Sequence, residues 1–504
     1  MSAIDGDKSS ARGLGASARA SLLWSGGFTL VRDIAQFATM LVLVRLLTPA
    51  DYGSAALAQS VLGLVAVFSF GTFVVHALQF RDPTEVDWQA HFTAAVVINT
   101  FLFCVTLIIA WGLSFSVRYG NAVLPLAGLS VVFLVEIPGT LRHRMLEVQH
   151  DWKRFRLLVL AGTLLALATG LVVALLGGGV WALVVQVPLF GVPGAIDLFV
   201  GARWRPDWTW SWARYRDTAR FGFTRMGSAI LLNARQVTEQ ATLAGVYDFA
   251  TLGIFTRSVG LATLATGRIG SVTMGSLYPV ITRAERGSEQ FRRYADLTLR
   301  GVVWTTIPAG VYLAVSAHDM VNLLYGAKWD SVIPLLPLAA ASVALGGIGS
   351  AANNLLLAND QIRACLALDL IYAGIGIGLA LWLVPAGPSI YLTALIANGG
   401  LMLGVTLAVL TATQGITAKA VLTALLPAAA AALAAIGAVF VVRKVFGTSD
   451  DVSVRLLIDG VVFSVGYLAV MRVGFLGPLR ELLEVVPGGA TIATGLFIRS
   501  WADS

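Results

Sequence analysis

Runs of predominantly apolar residues, each about 20 or more residues long and so able to cross a bilayer, recur from Leu22 to the neighbourhood of residue 474. They predict helical spans near 22–46, 54–78, 91–116, 122–141, 155–177 and 179–201. A second set follows near 219–244, 249–275, 296–318, 331–357, 362–384, 388–412, 418–442 and 454–474, fourteen in all. Between the two sets, residues 203–216 interleave four tryptophans with four arginines. Beside spanning helices such a stretch reads as an interfacial segment at the headgroups rather than a nucleic-acid site. A short amphipathic helix is expected around Pro478–Val486.

Three spans break the hydropathy rule. The first carries Arg32, Asp33 and Gln36 near its middle. The seventh carries Arg225, Ser228, Asn233, Gln236, Glu239 and Gln240 on one half of the helix at about 100° per residue, with Arg235 at its edge. In the eighth, Arg257, Arg268 and Ser271 share one line with Leu261 and Leu264. An ionisable group inside a membrane helix is costly unless it faces water or a partner, so these faces are expected to point inward.

Composition agrees: 57% of the residues are hydrophobic and only 12% are charged. That excludes an ordinary soluble globule and makes the chain a polytopic all-α membrane protein. Its two cysteines, Cys104 and Cys365, both lie in apolar runs, and its five histidines never form an i, i+4 pair with a third ligand, so no disulfide, metal site or cofactor is expected. No GxxxxGK[ST] loop occurs, which excludes ATP-driven pumping within the chain. Gly374-Ile-Gly-Ile-Gly378 sits inside a span without lysine and reads as close helix packing. The first 19 residues lack an apolar core, so no signal peptide is expected. With the N-terminus inside, 22 lysines and arginines fall on the cytoplasmic side and 6 on the other. Both termini are therefore expected in the cytoplasm, and the net charge of +7 is mostly topological.

Helix rise then places Arg32, Arg235 and Arg257 at similar mid-membrane levels, with Arg225 and Arg268 nearer the cytoplasm. If the three helices face one another, these five arginines, opposed by Asp33 and Glu239, form a cationic cavity. The alternative for Arg235 and Glu239, one turn apart, is that they neutralise each other and tie helices together. An offset near 200 residues relates two six-span halves, with Gly53 corresponding to Gly253. A parallel repeat of that kind would set the first two helices of each half around a pseudo-two-fold axis.

The opening run LWSGGFTLVRDIAQFATMLVLVRLLTPADYGSAALAQSV resembles the start of the bacterial polysaccharide-transporter (Wzx-like) family of the multidrug/oligosaccharidyl-lipid/polysaccharide flippase superfamily, which typically shows a run like RLLTPEDFG there. GVYDFATLGIFTRSV (Gly245–Val259) and YPVITR (Tyr278–Arg283) are similar to two further family segments, and the likeness extends over roughly residues 20–410. It implies a V-shaped two-lobed fold: a tail over 1–19, an N-lobe over 20–201, a linker over 202–218, a C-lobe over 219–412, two extra spans over 413–474 and a tail over 475–504.

The implied function is a non-enzymatic flippase of the inner membrane that moves polyprenyl-pyrophosphate-linked oligosaccharide units for envelope polysaccharide by alternating access. Its partners would be the lipid-linked sugar, the bilayer, and the polymerase and export machinery, with no nucleic acid. Arg257 matches a family arginine. Many relatives carry an aspartate near the position of Gln240, whereas the acid here is Glu239. Arginine suits a pyrophosphate through bidentate hydrogen bonds, while Asp33, Gln36, Asn233, Gln236, Glu239 and Gln240 are candidates for sugar or ion contacts. Rival classes are a multidrug exporter, which usually needs net acid in its cavity, and a membrane polymerase or ligase, which carries a large external loop. Here no outside connection longer than about a dozen residues is expected on the assumed span lengths.

Overall fold

The computed structural model describes residues 27–79, 85–208, 212–281, 288–414 and 418–485. Within its helices a few side chains, those of Arg225 and Arg268 among them, lie outside the described residues, as do both terminal tails and residues 209–211 of the linker. Every regular element described is helical. We number the helices of spanning length α1 (Gly27–Leu46), α2 (Pro49–Ala66), α3 (Trp88–Ser114), α4 (Val117–Val148), α5 (Trp152–Leu175) and α6 (Trp181–Gly201). There follow α7 (Trp212–Val246), α8 (Phe249–Ile281), α9 (Glu289–Val315), α10 (Leu336–Ala358), α11 (Ile362–Leu383), α12 (Pro388–Gln414), α13 (Ala418–Phe446) and α14 (Val452–Gly474), then a short α15 (Leu476–Val485).

Among the described residues eleven helices are long and apolar enough to cross a membrane, or twelve when α2 and its bent continuation Phe70–Gln79 count as one span. The other two of the expected fourteen, α7 and α9, run for 35 and 27 residues but are too polar to pass on composition. Composition thus supports up to twelve of the fourteen expected spans among the described residues. The connection between the ninth and tenth spans, expected over 319–330, instead runs from the end of α9 at Val315 to Leu336 and folds as a helix over Ala317–Leu324 and a 3-10 turn over Ala327–Val332. The expectation of short outside connections fails there.

Side-chain caps fix where helices start. The run RLLTPADYG is an N-terminal device: Thr48 Oγ1 accepts from Asp51 N–H at 3.2 Å, Asp51 accepts from Thr48 N–H at 2.9 Å, and Pro49 begins the helix. Two hundred residues on, Asp248 accepts from Thr251 N–H at 2.7 Å to open α8, so the two halves start their second helices with the same kind of cap. Two tryptophans of the linker make ring contacts. Trp204 and Trp208 pack edge-on against Phe92, and Gln89 bonds the backbone of Arg205 and Asp207.

The chain divides into two compact units, Met1–Asn233 and Ala234–Ser504, and the division falls inside α7 rather than in the 202–218 linker. In the first unit, Leu126, Leu129 and Phe133 of α4 are wholly buried beside Ala58 and Leu62 of α2. Asn99 of α3, also wholly buried, accepts from Phe70 N–H and donates to Phe133 O, which satisfies the backbone at the 49° bend after α2. Helix α6 is broken around Pro188 and Pro193, whereas Pro308 sits inside an unbroken α9.

In the second unit, hydrogen bonds that join α13 and α14 to α9 include Trp304 Nε1–H to Ala424 O, Tyr467 O–H to Trp304 O and Tyr312 O–H to Leu456 O. The alanine-rich run of α13 buries Ala428, Ala431, Ala432 and Ala435 at helical spacing. At one end, Arg443 and Arg455 alternate with Asp459 and Asp319 in a four-charge clasp that pins both extra helices to Ala317–Leu324.

Candidate functional site

Arg235 and Glu239 follow each other by one turn on α7, and the structure brings Arg235 Nη1 within 3.6 Å of Glu239 Oε2. The carboxylate also accepts the hydroxyl proton of Tyr391, from α12, at 2.6 Å. Across the gap, the Arg235 guanidinium carbon lies 5.2 Å from the centre of the Tyr372 ring on α11, a cation–π arrangement. Its aliphatic stem passes along Gly376, where a Cβ would overlap Arg235 Cδ. The middle glycine of the Gly374–Gly378 run therefore makes room for an arginine side chain from another helix, a more specific task than backbone packing.

These groups form one wall of a cavity of about 610 Å³ enclosed by α7 to α12 of the second unit. Phe255, Thr263 and Thr266 line it from α8, Thr306 from α9, and Ser342, Gly346, Gly347, Ser350 and Asn354 from α10. The hydroxyls of Thr263 and Thr266 donate to carbonyls of their own helix, Val259 O and Ala262 O, which leaves their oxygens as acceptors. Arg235 Nε and Nη1 are buried and have no hydrogen-bond partner, Glu239 at 3.6 Å being beyond hydrogen-bond length. The lining thus holds one cation, one anion and several threonine and serine hydroxyls among apolar residues such as Val302, Val343 and Leu395.

The remaining predicted site residues fall elsewhere or are undescribed. Arg257 of α8 is not among the lining residues; it lies within electrostatic range of buried Tyr325. In the first unit, Arg32 pairs with its neighbour Asp33 at 3.1 Å, and Gln36 is exposed. These three occupy one arc of α1, while Leu30, Ile34 and Phe37 are exposed on the other. Asn233 donates to Ala229 O, and its Oδ1 lies 3.1 Å from where a Cβ of Gly63 would stand on α2. Gln236 is exposed, and Gln240 is buried with Oε1 lacking a partner. Arg225 and Arg268 lie outside the described side chains.

Sequence reasoning missed Tyr372, Tyr391 and Gly376, which lie far along the chain from α7. It also missed a readable signal in the tenth span: Ser342, Gly346, Ser350 and Asn354 recur every fourth residue and form one small, polar stripe.

A search of solved structures finds a lipid II flippase, MurJ, in an inward closed conformation, with a TM-score of 0.70 and 14% identity over 89% of this chain and 99% of that one. At that identity the likeness concerns the fold. Among curated proteins, the succinoglycan biosynthesis transport protein ExoT of Rhizobium meliloti (strain 1021) is 24% identical over 61% of this chain and 62% of its own length. The lipopolysaccharide biosynthesis protein WzxC of Escherichia coli (strain K12) is 24% identical over 32% of each chain. The matches thus span less than two thirds of either relative. A family described as "Polysaccharide biosynthesis protein" matches residues 42–334, more than half of the sequence, and the chain belongs to that family.

Proposed function

We propose that the protein is a flippase that carries polyprenyl-pyrophosphate-linked oligosaccharide units across the bacterial inner membrane for envelope polysaccharide, working by alternating access with both termini in the cytoplasm. The observation that carries this reading is a cavity lined by charge and hydroxyls inside a helical membrane unit of a polysaccharide-biosynthesis family member. Two relatives bear the names of a succinoglycan transport protein and a lipopolysaccharide biosynthesis protein, and the fold is that of a flippase. A phosphate charge cannot cross about 30 Å of hydrocarbon unaided, whereas an arginine-bearing path gives it bidentate partners.

Arg235 shares the cavity of the second unit with Glu239 at 3.6 Å and is set apart from the proposed pyrophosphate contacts, which are Arg32, itself 3.1 Å from Asp33, with Arg225, Arg257 and Arg268. Arg225 and Arg268 would receive the anion from the cytoplasmic side, and Arg32 and Arg257 at mid-membrane. The protein then needs no catalytic residue, since no bond is made or broken. In cells that depend on this gene for their polymer, Arg257→Ala and Arg268→Ala should abolish export while the protein stays folded in the membrane. Lysine at either position should give intermediate export, because charge is kept and the bidentate fork is lost. Wild-type export from a triple replacement of Arg32, Arg257 and Arg268 by Gln would sink the arginine mechanism.

A further inference from the structure

The cavity of the second unit is chemically unlike a phosphate site. Its two formal charges are opposite and 3.6 Å apart, so an anion meets Glu239 as soon as it meets Arg235, and a cation meets the reverse. The uncharged polar groups on its walls, Thr263, Ser342, Ser350 and Asn354 among them, suit a neutral polyol and stand beside the apolar Val302, Val343 and Leu395. Buried guanidinium nitrogens of Arg235 stand without hydrogen-bond partners, the exposed Thr263 oxygen offers a lone pair, and Tyr372 lines the wall beside them. Its volume, about 610 Å³, falls within the range of roughly 300–1,000 Å³ typical of small-ligand sites. We propose that this cavity is a sugar subsite that seats an uncharged sugar residue of the transported head group and takes neither its phosphates nor a free cation. The proposal rests on the transporter reading above. It separates the ligand into a neutral part held inside the second unit and an anionic part held by arginines outside this cavity.

Two of the three glycines of α10 make the test clean. A Cβ added at Gly346 or Gly347 meets nothing within 4 Å, although both positions line the cavity. A side chain at 347 therefore starts into open space, and leucine replaces the poorest ordinary helix former but proline. Gly374→Leu, also into open space on α11 and away from the lining, serves as the control.

The full-length protein in nanodiscs is titrated with two probes, the oligosaccharide released from the host lipid carrier by mild acid and inorganic pyrophosphate. Gly347→Leu and the pair Thr263→Val with Ser350→Ala should each weaken oligosaccharide binding by about tenfold or more, the equivalent of roughly 1.4 kcal/mol, and reduce polymer export. Neither should alter pyrophosphate binding, which Arg257→Gln should reduce, and Gly374→Leu should behave as wild type. Oligosaccharide binding and export unchanged by Gly347→Leu would overturn the subsite while leaving the transporter reading standing. So would displacement of the oligosaccharide by pyrophosphate, or failure of the wild-type protein to bind it. Polymer export that persists after deletion of the whole gene would overturn the transporter reading itself.

Discussion

Replacing Arg235 by Gln tests whether the pair on α7 is a coupled unit. At 3.6 Å the attraction between the two charges is about 4–5 kcal/mol for an effective dielectric near 20 and about 1 kcal/mol in water. Both side chains are largely covered, with 21% and 13% of their surface exposed, so the effective value lies nearer the first figure, at about 2–4 kcal/mol. Arg235→Gln strands Glu239, but the Tyr391 hydroxyl still donates to it at 2.6 Å, a charge-assisted bond worth about 1.5–3 kcal/mol. The net cost should therefore be about 2–3 kcal/mol, below the 3–5 kcal/mol typical of a broken buried pair. Glu239→Gln should cost less, about 1 kcal/mol, because the guanidinium keeps the Tyr372 ring and the cavity. The double variant, with no charge left to strand, should return to within about 1 kcal/mol of wild type. Unfolding of the purified protein in detergent, followed for all four members of the cycle, reads this out. Single-variant losses that simply add in the double would show that the two charges ignore each other, and the reasoning would fail.

The clasp at the other end of the second unit gives a second prediction. Arg443→Gln removes the donor from Asp459, whose side chain is 4% exposed, and should destabilise by about 3–5 kcal/mol; adding Asp459→Asn should recover most of that in the same unfolding assay. Topology gives a third. In a variant with Cys104 and Cys365 replaced by Ala, cysteine at Gln290 should resist an impermeant thiol reagent in intact cells and cysteine at Ser449 should react, whereas labelling at 290 from outside would reverse the orientation.

Much of the fold was legible because membrane helices announce themselves by length and apolarity, although the start of α2 at Pro49, capped by Thr48 and Asp51, lies ahead of the span expected from 54. The pair Arg235–Glu239 was also legible, since i, i+4 spacing on a helix makes the two side chains neighbours without any knowledge of the fold. What surrounds that pair was not. Tyr391 is 152 residues from Glu239 in sequence, and a tyrosine in an apolar span looks the same whether its hydroxyl meets a carboxylate or a headgroup. The role of Arg257 shows the opposite limit: helix rise gives the depth of a residue, but which side of α8 meets which neighbour depends on packing across several helices. The division into compact units inside α7 depends on packing in the same way. Aromatic and basic residues mark a membrane surface, but α7 runs on from that surface as one continuous helix.

The slot at Gly376 ties the history of three positions together. Any side chain at 376 collides with the Arg235 stem, so the glycine cannot be lost while the arginine stays. The arginine in turn cannot be lost cheaply while Glu239 keeps its charge. Drift away from this arrangement therefore has a required order: the acid at 239 is neutralised first, then the base at 235 is shed, and only then does 376 become free to vary. Descendant sequences should show the three states in that sequence, and a chain with a bulky residue at 376 together with arginine at 235 should be absent from functional collections.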